Sequence, residues 1–237
     1  MSNFNKDTFT TGLLFFCSGA TAELCFIKKL HTDIEQLWVD QESNLENQIS
    51  QDLKKYKEKY HQDIIEGAAF NFHLIQHQFP STQREALILT IVSKLEHNLN
   101  SLCNIIKFHT NSNITVKDIA KNGIERAIRY MELVGTFDFT KIKKSNEWKF
   151  IMFVRKIRNL LVHAGGQLPN DKGLLRDIEA NKNLSIYQME FPSSIKELEE
   201  QYISINHGFV EETITNISSF FDQINKEVQA FNQRIND

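Results

Sequence analysis

From Asp33 to Gln78 the chain runs without a proline and with a single glycine, Gly67. Across that stretch Leu45, Ile49, Tyr56, Tyr60 and Ile64 recur among charged residues at intervals of four and seven. Such intervals stay on one side of a helix but not of a strand. The segment is therefore one long helix or a helical hairpin, with a coiled-coil-like seam that meets another helix in cis or in a second copy. The rest of the sequence shares the trait. Three prolines and nine glycines in 237 residues leave few breakpoints, and apolar residues recur at three and four instead of alternating. The expected fold class is all-α.

With 41% hydrophobic and 24% charged residues the chain has the makeup of an ordinary globular protein, long enough to bury a sizeable core. The formal net charge of −3 means that any contact with nucleic acid must come from a local basic patch. Cys17, Cys25 and Cys103 are an odd, scattered set without CxxC spacing. They fit a reducing, cytoplasmic setting and no structural zinc. The apolar run at 13–16, LLFF, could be taken for a targeting segment. Before it stands only Lys6, balanced by Asp7, and Gly12, Gly19 and Glu23 interrupt the hydrophobic residues that extend to Ile27. The expectation is a helix over about 8–31, packed in the core or at a partner interface, with no membrane contact.

Pro80 closes the long segment on this reading, and Thr82 with Glu85 has the spacing of a capping box opening the next helix, which runs to about Phe108. That helix is apolar around most of its circumference, so it is central, yet Glu96 lies in its middle. A carboxylate there either reaches solvent, caps a neighbour, or pairs with Arg155 or Arg158. Thr115 and Asp118 repeat the capping spacing before a helix that stops near Gly135, and a linker leads to a helix from Trp148. Residues from Gly166 to about Ser193 read as a loop with one short helix near Leu174–Ala180. From Ser194 an amphipathic helix, with Gly208 as the point of interruption, returns onto the bundle. The implied organisation is an N-terminal helical arm over 1–80, a bundle over 81–180 and a loop with a C-terminal helix over 181–237, integrated as one domain.

Chemistry concentrates in the helix from Trp148 to Gly166. At about 100° per residue, Arg158, Val162, Arg155, Asn159 and His163 share an arc of about 140°, while Ile157, Leu160 and Leu161 point the other way. An aliphatic side thus enters the core and a polar seam is left on the opposite side. His163 sits in the last turn, where the helix dipole favours the imidazolium, and Gly165 and Gly166 are natural stops. Lys141, Lys143, Lys144, Lys149 and Lys156, with the two arginines, form the densest basic stretch. Other candidates are weaker. His73 and His77 lie one turn apart, but HLIQH lacks the glutamate of a metalloprotease helix and has no third ligand. Glu199 and Glu200 belong to a charged face.

The run Arg158-Asn159-Leu160-Leu161-Val162-His163 resembles the R-x4-6-H signature of the HEPN superfamily, in which a polar residue commonly follows the arginine. The likeness covers about Ser81 to Ile178. It implies a HEPN-like helical bundle and a metal-independent endoribonuclease needing no cofactor, in which the 2′-OH attacks the adjacent phosphorus to leave a 2′,3′-cyclic phosphate. Arg158, Asn159 and His163 would be the catalytic set, with His163 as acid or base and Arg158 clamping the phosphate. By geometry Glu96 and Arg155 would support them, and Lys149 and Lys156 would meet RNA. The resemblance further implies a homodimer through these helices, a role in antiphage defence or a toxin–antitoxin system, and an antitoxin or defence partner protein. Some relatives of toxin type carry a tyrosine two residues after the histidine, where this chain has Gly165. Two alternatives stand beside this reading: a non-catalytic module binding RNA, a nucleotide or a partner protein, and a sensing or oligomerising role for the N-terminal arm.

Overall fold

The computed structural model describes residues 6–188 and 200–236. Among these, seven α-helices and one two-stranded sheet are the principal elements, so the all-α expectation holds. The first helix, α1, runs unbroken from Lys6 to Lys55. No helix ends near residue 31. Thr32 Oγ1 donates to the Lys28 carbonyl and Lys29 pairs with Asp33, both within the helix, so the polar residues there do not act as a cap. The chain turns at Tyr56 and Glu58–Tyr60, and α2 follows over His61–His73. Of the two forms open for the arm, the structure takes the hairpin. Gln76 Nε2 donates to Glu42 Oε1 and Trp38 Nε1 to Gln83 Oε1 across it.

Pro80 does not close a helix. Leu74–Gln78 forms a π-helical turn that leads straight into α3, Phe79–Thr110. Proline has no N–H for the carbonyl four residues back, and its ring crowds that carbonyl. The wider turn relieves both, with the Phe79 N–H reaching back to the Leu74 carbonyl. The expected capping box at Thr82 and Glu85 is absent because both residues lie inside the helix. Thr82 bonds the Gln78 carbonyl and Glu85 accepts from Ser81. The box at Thr115 and Asp118 does form, around a 3₁₀ turn, and α4 starts only at Gly123 and ends at Leu133.

The helix α5 spans Asn146–Ala164, and α6 spans Lys172–Glu179 with Asp171 as its cap. Next, β1 (Leu184–Gln188) pairs antiparallel with β2 (Gln201–Ile205), from Leu184 opposite Ile205 to Gln188 opposite Gln201. This corrects the helix expected from Ser194. In QYISI, Ile203 and Ile205 are buried two residues apart, which is strand periodicity. The helix α7 begins at His207, one residue before Gly208, and runs to Asn236. Glu199 and the other residues of 189–199 lie outside the described residues.

By contacts the chain forms two units, one of 1–26, 88–159 and 211–237, the other of 27–87 and 160–210. Neither follows the boundaries 1–80, 81–180 and 181–237, because α1, α3, α5 and α7 each contribute residues to both. In the first unit Phe9, Leu13 and Cys17 of α1 are buried in the core with Leu95 and Leu99 of α3, Ile128 of α4, Ile157 of α5 and Phe220 of α7. Removing residues 1–80 would therefore strip that core; the arm is not a detachable appendage. The second unit contains a polar network. Arg84 forms a bidentate pair with Glu35, 2.8 and 2.6 Å, and the buried His31 bonds the His207 carbonyl through Nε2 and meets Gln83 at Nδ1.

Phe15, Phe26 and Leu30 are exposed on α1. An 18-residue window of this helix has a mean hydropathy of 1.4, enough by length and composition to cross a membrane, and a third of that window is buried in the protein.

Candidate functional site

The helix α5 begins where the Ser145 Oγ accepts the Trp148 N–H. Its inner side, Ile151, Val154, Ile157, Leu160 and Leu161, is buried as the spacing requires, and Arg155, Arg158 and Asn159 lie half-buried on the other.

In the first unit, the Arg158 guanidinium is held from two directions. Its Nη2 donates to Glu96 Oε2 and its Nη1 to Asn159 Oδ1, each at 3.0 Å. Only 22% of the Arg158 side chain and 24% of Glu96 is exposed, so this pair is more strongly felt than a surface ion pair. Of the options open for Glu96, pairing with Arg158 is the one adopted. Behind it stands Gly123, with φ +52, where a Cβ would come within 2.6 Å of Glu96 Oε1. One turn along, Arg155 Nη1 donates to Glu125 Oε2 at 3.0 Å. Glu125 was not legible as a site residue. Its partner is brought to it by tertiary packing, and no spacing within its own helix announces that.

Lys149 and Lys156, two turns apart, are exposed. By helical angle they lie on the same flank of α5, next to Asn159. Lys143 belongs elsewhere, paired with Glu132. The basic stretch is thus divided between cations bound internally and cations open to an anion.

In the second unit lies the end of the same helix. His163 is exposed and makes no hydrogen bond among the described residues, so both ring nitrogens are available. Gly165 and Gly166 adopt φ +58 and +87, left-handed values that a side chain resists. The Gly166 N–H returns to the Leu160 carbonyl, and the Gly166 carbonyl accepts from the Ile203 N–H. The stop anticipated from the glycines is therefore also the point where the helix is fastened to β2.

This arrangement has definite chemical capacity. A guanidinium offers five N–H donors; two are engaged here, and three remain for an incoming anion. Because Glu96 and Asn159 hold the group from two sides, it is oriented before any ligand arrives. The imidazole can accept or donate a proton at solvent-exposed nitrogens. Elsewhere, the His73 and His77 rings lie 5.5 Å apart, and no group of three or more His, Cys, Asp or Glu suited to a metal occurs among the described residues. Cys17 and Cys103 are buried, and burial pushes both thiols up to about 12, so neither is a nucleophile.

Compared with protein-family models, curated proteins and solved structures, the chain matches none. Its reading rests on the residues themselves.

Proposed function

We propose that this chain is a metal-independent endoribonuclease of HEPN type. The observation that carries the reading is an arginine pre-oriented by Glu96 on a helix whose last turn, five residues later, carries His163, exposed and without a hydrogen bond among the described residues. In the proposed step the ribose 2′-oxygen forms a bond to the adjacent phosphorus and the bond to the 5′-oxygen breaks, leaving a 2′,3′-cyclic phosphate and a 5′-OH. His163 takes the 2′ proton or supplies one to the departing oxygen; in a homodimer the second copy's histidine performs the complementary transfer. Arg158 uses its remaining donors on the phosphate oxygens, where a planar fork outperforms a point charge. Asn159 holds the guanidinium, and Lys149 and Lys156 attract the backbone of the RNA. A cytoplasmic defence or toxin role, with a neutralising partner protein, belongs to the same proposal.

The test is RNA cleavage in EDTA, native protein against His163→Ala, with product ends analysed for cyclic phosphate. Cutting that persists in EDTA, leaves cyclic ends and falls at least a hundred-fold in the variant is expected. Cleavage that survives the substitution would overturn the assignment. A second reading is favoured by one observation, that Arg158 is already bonded on two sides. A non-catalytic binding module would keep it there, and would show RNA affinity without any cutting by a folded dimer.

A further inference from the structure

A cleft of about 900 Å³ opens in the second unit, beside the end of α5. Apart from Gly165, every residue on its walls brings a hydrogen-bonding side chain. One wall is the π-helical turn and the start of α3; the opposite wall is the sheet. A π-turn rotates less per residue than an α-turn, which helps His77 and Gln78, adjacent in sequence, line the same wall.

Among the described residues, several of these groups keep hydrogen-bonding capacity unused. Glu85 accepts from Ser81 through Oε1, leaving its other oxygen for a ligand. The Tyr187 ring lies against Tyr202 on one side, centroids 5.7 Å apart and planes at 25°, and is 47% exposed overall. Gln78, Gln188 and Asn206 add amides. The cleft's arginine, Arg84, is held by Glu35 and the Ile205 carbonyl. The site is therefore built for a flat, uncharged group with hydrogen-bonding edges, not for a bare anion. A nucleobase has that chemistry: a face to stack on tyrosine and N–H groups to give to a carboxylate.

We propose that this cleft is a nucleobase subsite for single-stranded RNA, in which the base stacks on Tyr187 and donates an exocyclic amine to Glu85. This rests on the ribonuclease reading. Gly165, on the cleft wall, lies two residues beyond His163, so the base held here would belong to a nucleotide beside the bond being cut. Adenine, cytosine and guanine each carry an exocyclic amine; uracil does not, and is the base the cleft should reject.

The experiment is fluorescence anisotropy on full-length His163→Ala protein, with equal-length fluorescein-labelled single-stranded homopolymers of A, C and U. Binding of A and C at least five-fold tighter than U is expected, with that preference lost in Glu85→Gln. Tyr187→Ala should weaken A and C by about five-fold to a hundred-fold, whereas Tyr187→Phe, which keeps the ring and the fold, should bind as its parent does. Equal affinity for all three polymers, or an unchanged affinity in Tyr187→Ala, would overturn the subsite. The native protein, assayed separately for cleavage, keeps the two readings apart. Glu85-dependent base preference without cutting would sink the nuclease and leave the cleft standing. Cutting that is indifferent to base and to Glu85→Gln would do the reverse.

Discussion

Gly123 is the residue on which the arginine end of the site closes. Its φ of +52 strains any side chain, and a Cβ there would come within 2.6 Å of Glu96 Oε1, so the carboxylate would have to move. Gly123→Ala should lower stability by about 1–3 kcal/mol, read as a lower urea midpoint at unchanged slope. It should also displace Glu96 and weaken RNA binding or cleavage along with stability. Had the glycine only a local role, stability alone would change. The Glu96–Arg158 pair was partly legible in advance, because a carboxylate in the middle of an apolar helix needs a partner. The sequence left two arginines open for it. Which one it takes depends on how α3 meets α5, and that is decided by side-chain packing over many residues.

Elements differed in how openly the sequence declared them. The helices stood out because breakers are scarce, and α6 was placed within two residues of its bounds. In the structure its start is fixed by Asp171, whose Oδ1 accepts the N–H groups of Gly173 and Leu174. Asp171→Ala should cost about 1 kcal/mol, visible as a fall in the thermal midpoint that Asp171→Asn largely avoids. Thr82 and Glu85 were misleading because the same residue types serve a helix interior, bonding one turn back, as readily as they serve its start. Likewise the five-residue strand β2 sits directly before a 30-residue helix. Two buried isoleucines are too short a signal to compete with that neighbour's period.

For the molecule as a whole, acid response should separate two carboxylates of opposite behaviour. Burial raises Glu35, but the Arg84 hydrogen bonds and charge outweigh it and leave the carboxyl below its ordinary 4.5. Its stabilisation is therefore full above that value and is lost as pH falls through the lower, folded-state value. The native protein should melt above Glu35→Gln at neutral pH, and the gap should close in acid. Burial raises Glu85 above 4.5, only partly opposed by Ser81. Its ionisation costs stability as pH rises through the folded-state value. Glu85→Gln should match the native protein in acid and melt higher at neutral pH; a lower melting temperature there would contradict the assignment.

The continuity of α1 also limits how this sequence can change over evolutionary time. One residue added or removed within the helix turns everything beyond it by about 100°. After such a change between Leu13 and Cys17, if Phe9 and Leu13 kept their seats, Cys17, Ala20 and Leu24 would leave theirs, and the reverse. Substitutions can accumulate on its outer face one at a time, but a change in length inside it has no local remedy. Tolerated insertions should be confined to the connections, above all the turn at residues 56–60, where no such phase is shared.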